Sequence, residues 1–464
     1  MYASKMMSKI HLGRFWKRNF KIVFPFMLWY LSLFPGRLSG DTSQAIELLR
    51  NGESTDWWTG IYFQFLRIST LNGRFLFLAS AITLATLFAS VVFFVNSMPI
   101  SVKHKPNILL LVLLSPLTGA FGVNVSHDVF QASSILIVTG IEFRIIERNF
   151  FMNKSDFVIE GLLVLTVFMT HFGLILAVYH VLQIMRLREL RIASMVALGL
   201  ALTYFVGGIQ VDKSEMKSLV YPMVTDLKCI VQHPDATVNQ EDWKVLSRMA
   251  PIEEWKKKVI CRDQVNLLGA LPSLNLSAID SKTLTKLYFR LGSQNPYILV
   301  YQHLIRASVV LPPPFFRAPD NQIAYNREEW IGFDSNSELQ NGPELLHTSI
   351  DVSDFKTNLE FIKPFEYLAM FSVFIVNQAS WFWSWAGLWM YPIVVVLVLL
   401  RKRSGNSYWM VMTPTLLLSS FLLLLSPQSS GRYVMGTIIV GLACSIYLIL
   451  HSATKIVDSK PSAP

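Results

Sequence analysis

The chain has 464 residues, 52% of them hydrophobic and 16% charged, with a formal charge of +10 and a mean hydropathy of +0.41. That balance excludes an ordinary soluble globular protein and points to a chain that crosses a membrane repeatedly. The basic excess lies in short segments beside apolar runs, so it reads as an orientation signal rather than a nucleic-acid surface.

In chain order, "KMMSKIHLGRFWKRNFK" places Lys5, Lys9, Arg14, Lys17, Arg18 and Lys21 ahead of the first apolar run. These cations predict a cytoplasmic N-terminus and a retained helix rather than a cleaved signal. A hydrocarbon core about 30 Å thick needs roughly 20 apolar residues per helix, which predicts spans at about 20–35, 74–96, 107–123 and 129–146. Lys103, His104 and Lys105, then Arg144, Arg148 and Lys154, fall on the cytoplasmic side, so the loops holding Asp41 and Asp128 fall outside. The run "FVIEGLLVLTVFMTHFGLILAVYHVLQI" predicts two half-length spans broken at Thr170, His171 and Gly173, since a single span would leave Arg186, Arg188 and Arg191 outside. A further span is expected at about 192–209.

Polar residues return between about 210 and 366, where a mixed α/β extracytoplasmic domain is expected. It holds Cys229 and Cys261, which on an outer face can persist as a disulfide. Two unpaired thiols remain the alternative, because spacing alone does not establish pairing. Cys444, in an apolar run, reads as a packing residue. Trp381, Trp383, Trp385 and Trp389 then form an aromatic belt before a span that ends near Leu400, ahead of "RKR". Two last spans are expected at about 408–425 and 433–451. The predicted fold is an all-α polytopic membrane protein of about ten helices. Its parts are an N-terminal module (1–209) with an outer juxtamembrane helix near 36–70, the outer domain (210–366) and a C-terminal module (367–464).

This topology gathers Asp41, His127, Asp128, His171, Arg432 and Tyr433 toward the outer surface. Ionisable groups at membrane level are costly and tend to be retained for a task. Each also has a plain structural reading. Asp41 with Gln44 fits a capping box for the helix that follows, and Asp128 fits a cap of its span. His171 fits a hydrogen-bonded core histidine, and Arg432 an interfacial anchor. Trp57, Trp58, Tyr62, Phe63 and Phe65 suit a helix lying in the interface, as anchors or as guides for a lipid chain. The sequence carries no Walker loop, HExxH, CxxC or glycine-rich dinucleotide fingerprint. A donor used on the outer face, away from cytoplasmic nucleotides, would then be lipid-linked.

"FPGRLSGDTSQAIELLRNG" resembles the first outer loop of bacterial GT-C type glycosyltransferases, where an acid follows the first span and precedes an amphipathic helix. "SPLTGAFGVNVSHDVFQASSIL" is similar to their second acidic loop, "THFGLIL" to the polar break between two half-length spans, and "SPQSSGRYVMG" to a late Arg-Tyr pair. The resemblance covers both membrane portions and not the outer domain. It implies transfer of a sugar from a polyprenyl-phosphate donor to a glycan, lipid or protein acceptor on the outer face of the cytoplasmic membrane. Asp41 and Asp128 would be catalytic, with Asp41 taking the acceptor's proton. Arg432, Tyr433 and His171 would bind the donor phosphate. Asp41, Asp128 and His127 offer oxygen and imidazole ligands for a divalent cation (Mg, Mn or Ca). Membrane lipids are the other expected partner, and nucleic acid is not expected. Two rival readings are a polysaccharide polymerase or ligase and a lipid-linked-sugar transporter or flippase. The latter would need ionisable groups at mid-membrane depth, for which Glu160 and His180 are the candidates.

Overall fold

The computed structural model describes residues 19–38, 40–52, 58–147, 154–170, 172–186, 217–259, 261, 270–306, 386–406, 408–425 and 434–458. His171, Arg432, Tyr433, Trp57, Trp381, Trp383, Trp385, the expected span at 192–209 and residues 307–366 of the expected outer domain lie outside them.

Among the described residues the architecture is α-helical, and the only sheet is a pair of two-residue strands. After helix α1 (19–32) come β1 (Arg37–Leu38), α2 (Gly40–Asn51) and α3 (Gly60–Ser69). Then follow α4 (Phe77–Ser97), α5 (Lys105–Leu114), α6 (Pro116–Val123), β2 (Asn124–Val125), α7 (His127–Ile146), α8 (Lys154–Phe168) and α9 (Gly173–Arg186). Residues 217–306 supply α10 (Lys217–Gln232), α11 (Gln240–Met249), α12 (Ile252–Lys256), α13 (Ser281–Gln294) and α14 (Pro296–Arg306). The chain ends with α15 (Ala386–Ser404), α16 (Thr413–Leu425) and α17 (Met435–Asp458).

Among the described residues, three helices are long and apolar enough to cross a membrane: α4, α7 and Met435–Ser452 of α17. The α5–α6 pair passes the same test as one span bent by 58°. The bend has a local cause. Pro116 has no amide proton to donate, and Ser115 takes an extended ψ of 128°. The indole of Trp29 on α1 enters this break and donates to the Leu113 carbonyl at 3.0 Å, satisfying an acceptor that water does not reach in hydrocarbon. The run at 157–184, expected as two half-length segments, holds two helices, α8 and α9, packed on one another and both on α7. A Cβ on Gly173 would lie 1.7 Å from the Val167 carbonyl oxygen, so this turn closes only around glycine.

α4 and α7 pack along their lengths, and α7 also meets α17, which packs on α15. A Cβ at Gly441 would fall 2.5 Å from the backbone oxygen of Trp389, the close approach that small residues give membrane helices. Buried hydroxyls within these helices return their protons to their own backbone: Ser90 to Thr86, Ser133 to Val129 and Thr139 to Ile135. One continuous core, from Trp29 through Phe94, Val129 and Trp389 to Ile439, joins the N- and C-terminal helices.

The described part of the 210–366 segment, expected as a mixed α/β outer domain, is helical. It has its own core of Val224, Leu227, Leu246, Trp255, Leu287 and Leu291. Heptad-like spacing of Leu284, Leu287 and Leu291 on α13 faces this core while Lys282 and Arg290 stay outside. Cys229 and Cys261 are joined by a disulfide with Cα atoms 5.6 Å apart. Closing a loop of 32 residues removes denatured-state entropy worth about 3–4 kcal/mol in the chain-entropy picture. Beside it, the wholly buried Lys228 donates to the carbonyls of Trp255 and Lys257, ending the short helix α12. His303 on α14 links this unit to the membrane helices. Its Nδ1 lies 3.1 Å from the Leu423 carbonyl of α16, and its Nε2 lies 3.1 Å from Asp226 on α10.

Two expected outcomes follow from this packing. Trp29→Phe strands the Leu113 carbonyl and should lower stability by about 1–3 kcal/mol, seen as a lower unfolding midpoint in detergent. Burial, and then the Lys257 ammonium, push the Lys228 amine down to about 8 from its ordinary 10.5. Between those pH values the unfolded chain binds more protons than the folded one, so stability rises with pH there. Denaturation of the full chain followed by tryptophan fluorescence should show this rise in the wild type and a flatter profile in Lys228→Met.

Candidate functional site

The site begins with a backbone pairing. After α1 the chain turns and runs parallel to β2, with Arg37 opposite Asn124 and Leu38 opposite Val125. The acidic loop after the first helix is thereby held against the one before α7. Ser80 at the start of α4 donates to the Pro35 carbonyl at 2.7 Å and ties the same corner to the membrane helices.

Three hydroxyls consolidate the pairing. Thr42, fully buried on α2, donates to the Val125 carbonyl at 2.5 Å. Tyr62 on α3 reaches the same carbonyl at 3.4 Å and lies 3.2 Å from the Thr42 hydroxyl. Ser126 is the N-cap of α7, accepting from the Asp128 amide at 3.2 Å and donating back to the Asp128 carboxylate at 3.0 Å. Beneath them lies a second small core of Leu38, Ile46, Trp58, Tyr62, Phe130 and Met169. Met169 comes from the α8 end that precedes the α8–α9 turn, so that turn reaches the same corner.

These contacts correct several expectations. Asp41 is not an N-cap, because α2 already begins at Gly40 and Asp41 falls within its first turn. There its charge favours the helix dipole by about 0.3–1 kcal/mol. Asp128 is not a cap either, since Ser126 holds that position. Trp58, Tyr62 and Phe63 are buried against protein rather than anchored in lipid, because α3 lies over the Leu38–Phe130 core. The apolar surface that α3 and the turn after it do expose is Ile68 and Leu71.

The two acids differ in access. Asp41 is half-buried, whereas Asp128 is 1% exposed. His127 Nε2 lies 3.4 Å from Asp128 Oδ1, and the imidazole, 23% exposed, packs edge-on to the Tyr62 ring. The negative charges of both Asp128 and Asp41 reach Tyr62. Burial raises its hydroxyl pKa most, the Thr42 hydrogen bond opposes this, and the two carboxylates raise it further. Tyr62 is therefore a neutral phenol, able to donate or accept but not to serve as an anion. The corner combines one accessible carboxylate, one buried carboxylate beside an imidazole, and a fixed phenol. That set can orient a hydroxyl and remove its proton. Among the described residues no group of three or more His, Cys, Asp or Glu is placed to hold a metal ion, which leaves the cation idea with His127 and Asp128 as adjacent ligands.

Thr42, Tyr62 and Ser126 were absent from the sequence-based site. A hydroxyl's role here depends on one carbonyl far away in the chain, and no local pattern announces that. A buried acid within α7 was missed as well. Glu142, 1% exposed, accepts from the Tyr179 hydroxyl of α9 at 2.5 Å. No family model, curated protein or solved structure matches this chain.

Thr42→Val keeps the side chain's shape but removes the hydroxyl, leaving the Val125 carbonyl with the longer Tyr62 bond alone. The expected cost is about 1–2 kcal/mol of stability, measured as a lower detergent unfolding midpoint, with faster hydrogen exchange in peptides covering residues 37–42 and 124–126.

Proposed function

We propose that this protein is an integral membrane glycosyltransferase of the GT-C kind, moving a sugar from a polyprenyl-phosphate donor to an acceptor on the outer face of the membrane. The proposed topology has about ten spans, with both termini in the cytoplasm and the 210–366 region outside. The observation that carries the reading is the convergence of Asp41 and Asp128 on Tyr62 through the β1–β2 pairing. Asp41 and Asp128, separated in the chain by the four helices α3 to α6, meet at one corner beside the starts of α4 and α7.

In this reading the half-buried Asp41 is the general base that takes the acceptor hydroxyl's proton as the glycosidic bond forms. The new bond joins the acceptor oxygen to the sugar carbon, and the donor's phosphate leaves with the bonding electrons. Asp128 is too enclosed to meet an acceptor directly and positions the His127 ring instead. Arg432, Tyr433 and His171 are proposed for the donor phosphate, whose charge grows as it departs. A transporter would need an ionisable group near mid-membrane, and the buried Glu142 lies one helical turn from the end of α7 at Ile146, about 6 Å along its axis.

The test is Asp41→Asn. Asparagine keeps the shape and loses the proton acceptor, so the variant should insert at wild-type abundance. Its initial rate with a radiolabelled polyprenyl-phosphate sugar should fall at least about 100-fold. Near-wild-type turnover at matched protein level would show that Asp41 serves only its helix.

A further inference from the structure

A second polar site lies at the far end of the same two helices. α4 and α7 both start at the Asp41–Asp128 corner and run in the same direction for 21 and 20 residues. That is about 30 Å, the thickness of the hydrocarbon core. Where they end, a cavity of about 360 Å³ opens between the end of α4, the chain after it, the first residue of α5 and the last turn of α7. That size falls within the range of small-molecule sites, about 300–1,000 Å³.

Its lining combines two cations with one acid and apolar walls. Lys105 donates to the Asn96 carbonyl at 2.6 Å, so its ammonium is drawn over the end of α4 rather than out to solvent. Arg144 reaches across from α7, donating from Nε to the Ser97 hydroxyl at 3.1 Å, with its guanidinium 4.6 Å from the Phe93 ring centre. Those contacts fix the plane of a group whose fork geometry suits phosphate. Glu147 is held from the other side by the Tyr408 hydroxyl. Met98 and Ile100 complete the wall. The loop beyond carries Val102, 77% exposed, next to the exposed Lys103, the mixture found where hydrocarbon gives way to headgroups.

We propose that this cavity binds the phosphate of a phospholipid headgroup, with Lys105 and Arg144 on the phosphate and Glu147 accepting from a headgroup hydroxyl or ammonium. Two fixed cations at the depth of lipid phosphates, with one carboxylate set apart, match a headgroup that has both an anion and a hydrogen-bond donor. Phosphatidylglycerol and phosphatidylethanolamine meet that description. Phosphatidylcholine does not, because its quaternary ammonium has no proton to give. The site is remote from the Asp41 corner and does not depend on the transfer reaction. In the proposed topology it faces the cytoplasmic leaflet.

The full chain, purified in detergent, is incubated with each of these three lipids, and the retained lipid is counted by native mass spectrometry. Phosphatidylglycerol and phosphatidylethanolamine should be retained, with phosphatidylcholine roughly tenfold weaker, the scale of one charge-assisted hydrogen bond. Lys105→Gln and Arg144→Gln should each weaken phosphatidylglycerol retention roughly tenfold. Lys103→Gln, on the exposed loop beside the cavity, should match the wild type. Glu147→Gln keeps an oxygen for Tyr408, so it should fold, while its phosphatidylglycerol retention falls roughly tenfold to the level of phosphatidylcholine. Equal retention by the wild type, Lys105→Gln and Arg144→Gln would overturn the proposal. Displacement of the lipid by excess inorganic phosphate would reassign the site to a free phosphate. Unchanged discrimination in Glu147→Gln would remove the headgroup contact.

Discussion

The Val125 carbonyl is the point on which the candidate site depends. It belongs to a two-residue strand that pairs with β1, and it accepts from the Thr42 and Tyr62 hydroxyls. At the edge of a bilayer, irregular backbone survives only where its polar groups are satisfied within the protein. Here α2, α3 and both strands supply the partners for one another. Satisfying that backbone is also what brings Asp41 and Asp128 within electrostatic reach of one phenol. The chemistry of the corner is thus a consequence of how two broken stretches of chain meet their hydrogen-bonding requirement.

The same constraint explains the membrane helices elsewhere. The α5–α6 break exposes a carbonyl, and a tryptophan from α1 fills it. The α8–α9 turn closes only because Gly173 lets the chain pass the Val167 carbonyl. Serines and threonines inside α4 and α7 bond to their own preceding turn, so their hydroxyls can be buried without a polar partner on another helix. Each irregularity is answered locally, and α4 and α7 pack along their lengths as two unbroken helices. Their length sets the distance between the acidic corner and the cationic cavity.

Residues 217–306 obey a different rule. They form a small helical unit with a core of its own, and its stability rests on cross-links as well as burial. The Cys229–Cys261 disulfide, the buried Lys228 and Gln232, which exchanges hydrogen bonds with the Val259 backbone, all grip the segment following α12. His303 then couples the unit to α16 through the Leu423 carbonyl.

Sequence by itself determined what depends on local composition. Apolar length gave α4, α7 and α17 within a few residues, and Thr170 to Gly173 marked a turn, because hydrocarbon thickness and backbone sterics act on short stretches, whereas the bend at Pro116 inside the expected 107–123 span was not read. The acids of the two outer loops were legible too, since charge beside an apolar run stands out. Only the tertiary structure decided which residues those acids meet. It put Ser126 rather than Asp128 at the start of α7, buried Trp58 and Tyr62 under protein instead of lipid, and set Thr42 on a carbonyl from beyond α4 and α6. Ser126 takes the first free amide of α7 two residues ahead of Asp128, a contest between near neighbours that composition does not decide. The partner of Thr42 is set by strand pairing across a long stretch of chain, and no window of sequence contains it.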